Sequence, residues 1–82
     1  MDGKYKYNPG DFAGMMSLPE DLADFYNAHE TYLNDPSKTN RFDFERKGRG
    51  LFSTVKHRAV EGFLSPVQRD EIWEHMRDLL DD

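Results

Sequence analysis

Residues 40–62 read NRFDFERKGRGLFSTVKHRAVEG, and the way this stretch folds decides the class of the whole chain. Its opening run, Arg41-Phe42-Asp43-Phe44-Glu45, alternates polar and apolar like a strand, but for barely two periods. With Phe44 set at zero and about 100° per residue, Leu51, Val55, Ala59, Phe52 and Phe63 all fall within an arc of about 120°. That single apolar stripe outweighs the short alternation, so the expectation is a helix over about 40–61. Gly48 and Gly50 each cost about 1 kcal/mol relative to alanine inside a helix. A break or kink near 48–50, leaving two shorter helices, is therefore part of the expectation, with helix, kink and short strand as the alternatives over 40–50. Gly62 is well placed as the residue that turns the chain out of the helix.

The flanks read more simply. Upstream, Ser17-Leu18-Pro19-Glu20 has the pattern of a capping box, with proline in the first turn where no intrahelical bond is lost. Leu18, Leu22, Phe25, His29, Tyr32 and Leu33 then follow the 3.6 period, and Asn34-Asp35-Pro36 stops the helix, giving a span of 18–34. Downstream, Ser65-Pro66-Val67-Gln68 repeats the start signal, and Ile72, Trp73, Met76, Leu79 and Leu80 form the stripe of a helix over 66–80. Residues 1–16 hold an Asn8-Pro9-Gly10 turn signal and read as an irregular arm whose Tyr5, Tyr7 and Phe12 pack back onto the rest. The expected fold is all-α: a small bundle of three main helices, a single helical domain over 17–82 preceded by the arm.

The chain has 82 residues, no cysteine, 37% apolar and 13% aromatic residues. It is polar for a folded domain but too aromatic to stay disordered. The absence of cysteine excludes a disulfide scaffold, a thiolate metal site and a cysteine nucleophile. The longest aliphatic or aromatic runs are pairs such as Leu51-Phe52 and Leu79-Leu80, whereas a bilayer span needs about 20 apolar residues. No apolar stretch follows Met1. The expectation is a soluble cytoplasmic protein with no membrane association.

The net charge of −5 is unevenly spread. Residues 11–37 carry six acids and no Lys or Arg, residues 38–58 carry seven Lys or Arg against two acids, and residues 66–82 carry two Arg against six acids. An acidic helix, a basic helix and a second acidic helix follow one another. In one reading the basic and acidic helices lie side by side and pair across their grooves, which selects their orientation. In the other, Arg46, Lys47, Arg49, Lys56 and Arg58 form a site for an anionic partner, with Gly48 and Gly50 letting backbone amides approach it.

No motif supplies chemistry beyond this. Lys47-Gly48-Arg49-Gly50 lacks the spacing and the preceding strand of a phosphate loop. A helix-turn-helix drawn from 51 through the helix at 66 would put Asp70, Glu71, Glu74 and Asp78 into a DNA groove, where phosphates repel them. His29, His57 and His75 lie on three different segments without ligand spacing, so no metal or other cofactor is expected. The aromatics Phe25, Tyr26, Tyr32, Phe44, Phe52, Phe63 and Trp73 are most simply core, yet too many for so small a domain, and the remainder favours a protein partner.

The runs LPEDLADFYNAHETYLNDP and NRFDFERKGRGLF resemble small uncharacterised accessory proteins carried on conjugative transposons of gut bacteria, over roughly residues 12–65. The resemblance implies a bacterial, cytoplasmic, mobile-element setting and carries over no site residues. The functional expectation is a non-enzymatic binding or regulatory module acting on another protein or on a second copy of itself. The alternative is an electrostatic nucleic-acid binder using 38–58.

Overall fold

The computed structural model describes residues 5–81. A 3₁₀ turn, Pro9–Phe12, leads into three helices: α1 (Leu18–Asn34), α2 (Lys38–Val60) and α3 (Pro66–Asp81). The described residues contain no strand, and the protein is an all-α bundle. The long α2 is the middle element and packs against both α1 and α3.

The helix ends show how the sequence encodes these bounds. Helix α2 begins two residues before its apolar stripe suggests, because the Ser37 hydroxyl accepts the Asn40 amide at 3.1 Å and so caps the first turn. Its other end is a full Schellman motif: Phe63 N–H donates to Arg58 O at 2.9 Å and Gly62 N–H to Ala59 O at 3.1 Å. Gly62 sits at φ +91°, the left-handed conformation this motif requires. The capping box of α3 is present in both directions, Ser65 N–H to Gln68 Oε1 at 2.8 Å and Gln68 N–H to Ser65 Oγ at 3.1 Å. The box expected at Ser17 is absent. Ser17 stands at φ 68° and its side chain caps nothing, although its carbonyl accepts the Asp21 amide at 2.9 Å. The tight passage out of the 3₁₀ turn, where Leu18 N–H donates to Met15 O at 2.9 Å, turns the residue away from the extended geometry a side-chain cap needs.

The expected break near 48–50 does not occur, and α2 runs continuously through both glycines. Propensity loses to packing at Gly48. A Cβ there would meet Phe25 Cε1 at 3.2 Å and Leu80 Cδ1 at 3.4 Å, so glycine lets α1 and α3 close onto α2 at one point. Around that point lie Leu22, Phe25, Phe44, Leu51, Val55, Ile72 and Met76, all at most 2% exposed. Burying each such side chain contributes about 1.5–3 kcal/mol. Phe25 and Phe44 have ring centroids 5.1 Å apart, and His29 lies against Phe44 at 5.0 Å.

The stripes are accurate at their centres and wrong at their edges. Leu33 in the last turn of α1 is 47% exposed, and Phe63, beyond the end of α2, is 55% exposed. The described part of the arm packs as expected. Phe12 is buried, and Tyr5 stacks on Tyr26 with centroids 3.8 Å apart. The Tyr5 hydroxyl donates to Glu30 Oε2 at 2.9 Å and lies 2.9 Å from His29 Nδ1. The Tyr26 hydroxyl donates to Tyr7 O at 2.9 Å and lies 3.1 Å from His75 Nε2, so the arm bridges α1 and α3.

Candidate functional site

The basic segment is divided by the fold. Arg58 is buried: its guanidinium donates to the carbonyl of Met16 and pairs with Glu61, Nε to Oε1 at 2.9 Å. It fastens the start of α1 to the end of α2, and of the five candidate cations it is the one withdrawn from the surface. Arg41, half-buried, is also engaged by the fold. It pairs with Glu45 at 2.9 Å, lies over the Tyr32 and Phe44 rings, and donates to Leu80 O at 2.7 Å. That last bond satisfies an end carbonyl of α3 and places a cation at the negative end of its dipole.

Arg46 pairs with Asp43 one turn back on α2, at 3.0 Å. With Lys47, Gly50 and Leu51 it borders a cleft of about 310 Å³ whose other wall carries Asp21 and Asp24 of α1. The acidic helix and the basic helix do lie side by side, but their charges face each other across this cleft. Among the described residues the ion pairs of α2 are all internal to that helix or its C-cap. Thr54 donates to Asp21 from the far end of the same interface. Arg49 and Lys56 point outward and make no ion pair among the described residues, although Arg49 lies 6.0 Å from the Phe42 ring. The five cations therefore do not form one cluster.

On the opposite side of α2 from this cleft, a groove of about 440 Å³ runs between α2 and α3, lined by Phe52, Ser53, Lys56, Trp73 and Arg77. Trp73 Nε1–H donates to Phe52 O at 3.4 Å, the two rings stand 5.9 Å apart, and the Arg69 guanidinium lies 5.1 Å from the indole. Of these, sequence reading singled out only Lys56 as a site residue. The signal was present in two copies: Phe52 and Lys56, then Trp73 and Arg77, are each an aromatic and a cation four residues apart, which places each pair on one helix face. Further apolar side chains stay exposed, notably Phe42 at 60%, Val60 at 77% and Val67 at 66%.

The histidines do not converge. His57 is exposed, with Nδ1 2.9 Å from Ser53 O. His75 Nε2 accepts the Lys6 amide at 3.4 Å, and burial, reinforced by the Lys6 charge, lowers its pKa below the usual 6.5. Burial also pushes the Tyr26 hydroxyl up to about 12 and raises that of Tyr5, where the Glu30 carboxylate adds to the effect. Both tyrosines and His75 thus stay neutral near pH 7 and act as hydrogen-bonding groups that hold the arm. Among the described residues no group of three or more metal-ligating side chains comes together, and no helix is long and apolar enough to cross a membrane. Comparison with protein-family models, curated proteins and solved structures finds no match.

Proposed function

We propose that this protein is a small non-enzymatic binding or regulatory module that works in the cytoplasm by holding another protein, in the bacterial mobile-element setting its sequence resemblance implies. The observation that carries this reading is the pairing of a fully packed core with a mixed apolar and cationic outer surface. Phe25, Phe44, Leu51, Val55 and Met76 are completely buried, so the fold has no need of Phe42, Val60, Phe63 or Val67, which remain exposed. Surface of this kind, with Arg49 and Lys56 exposed and in no ion pair among the described residues, suits a protein interface with an apolar centre and a charged rim.

Nucleic acid is the alternative partner, through Arg46, Lys47, Arg49 and Lys56. It is disfavoured because Asp43 holds Arg46, Asp21 and Asp24 face Lys47, and α3 presents exposed carboxylates. Tagged protein incubated with native lysate of its source organism, with and without nuclease, separates the two. Protein retention that survives nuclease supports the proposal. Retention that disappears with nuclease, together with oligonucleotide binding at about 50 mM salt that Arg46→Glu, Lys47→Glu and Arg49→Glu abolish, overturns it.

A further inference from the structure

We infer that the groove between α2 and α3 docks an acidic, amphipathic segment of the protein partner, with an apolar side chain packed onto the Phe52–Trp73 pair and carboxylates on Lys56 and Arg77. The inference rests on the protein-binding reading and adds the place and the chemistry. At about 440 Å³ the groove lies within the range of ligand clefts, roughly 300–1,000 Å³. Its floor is ordered before anything binds, since the indole is held by its bond to Phe52 O and by the Arg69 guanidinium. An aromatic floor fixed in advance loses little side-chain freedom on binding.

Charge selects the occupant. Lys56 and Arg77 are exposed and make no ion pair among the described residues. The groove lining holds these two cations and no carboxylate. Glu45 and Asp70, on the same helix faces, are engaged by Arg41 at 2.9 Å and by Arg69 at 3.0 Å, and Asp81, one turn beyond Arg77, lies outside the lining. Glu74 projects about 100° around α3 from Trp73. Arg49 extends the cationic line. It is seven residues before Lys56 on α2, two turns or about 10 Å along the helix, which matches carboxylates seven residues apart on an acidic helix. A cationic groove on a molecule of net charge −5 is complementary to a short acidic segment. A long polyanion would need many phosphate contacts and would run past the groove onto the exposed carboxylates of α3.

Trp73 is the single tryptophan of the chain and stands in the groove, so it reports occupancy directly. The whole protein is titrated, following Trp73 emission, with a helical leucine–glutamate peptide, with its leucine–glutamine counterpart, and with a single-stranded oligothymidylate. The expected result is a saturable response to the glutamate peptide, at least about tenfold weaker for the glutamine peptide and for Lys56→Glu/Arg77→Glu, whose thermal midpoint is unchanged. Tighter binding of the oligothymidylate overturns the inference. So does the absence of a saturable response to the glutamate peptide, or an unchanged response in the double variant. In the last two cases lysate retention that resists nuclease leaves the protein-binding reading standing with its interface elsewhere.

Discussion

Gly48 and Gly50 lie two residues apart on α2, yet replacing each with alanine is expected to have opposite effects. At Gly50 nothing stands within 4 Å of an added Cβ. Gly50→Ala therefore gains the helix propensity difference of about 1 kcal/mol, worth about 4–8 °C in the melting temperature of a domain this size. Gly48→Ala gains the same propensity but brings Cβ to 3.2 Å from Phe25 Cε1 and 3.4 Å from Leu80 Cδ1. Phe25 is fully buried against Phe44, so its ring cannot swing aside into solvent. Overpacking of this kind costs about 1–3 kcal/mol, so the net effect runs from neutral to a loss of about 2 kcal/mol. Urea and thermal unfolding followed by circular dichroism measure both variants on the same footing. The two should differ by about 1–3 kcal/mol, with Gly50→Ala the more stable. If Gly48→Ala stabilises as much as Gly50→Ala, the close approach of α1 and α3 at Gly48 is refuted.

Other perturbations test separate parts of the structure. Arg58→Ala strands the Met16 carbonyl and should cost about 1–3 kcal/mol in urea unfolding, whereas Lys56→Ala stays within about 0.5 kcal/mol of the parent. Phe12→Ala should cost about 3–5 kcal/mol, much of a total of about 5–15, because the arm contributes that ring to the core; an unchanged urea midpoint would make the arm an ornament. The fold lowers the pKa of His75 from 6.5, so the unfolded chain binds more protons there. Stability from His75 is complete above about pH 6.5 and is lost as pH falls towards the lower folded value. His75→Gln should flatten that part of the urea-midpoint profile, and an identical slope in the variant would exclude the coupling.

The helices were legible in their stripes, and several of their ends in local motifs as well. Ser65 with Gln68 and Gly62 with Phe63 behave as local chemistry dictates, since each motif closes within a few residues and depends little on the rest of the fold. Local reasoning failed where a distant contact decides. Gly48 looks like a helix breaker until Phe25 and Leu80 occupy the space its side chain would fill. Ser17 looks like a cap until the turn from Phe12 sets its backbone at φ 68°. The site was less legible than the fold for the same reason. Sequence shows seven cations in 38–58 but not that Arg58 turns to Met16, Arg41 to Leu80, or that Trp73 of another helix meets Phe52. Charge in a sequence gives the supply of ions, and only packing decides which of them face outward.

Inward cations such as Arg58 hold the fold, and the role proposed for the outward ones is to hold a protein partner. Retention from nuclease-treated native lysate, compared between the parent protein and Lys56→Glu/Arg77→Glu, tests it most directly. The expected result is a protein retained by the parent and lost by the double variant, with both melting at the same temperature. Equal retention by the two, or retention by neither once nucleic acid is removed, contradicts it.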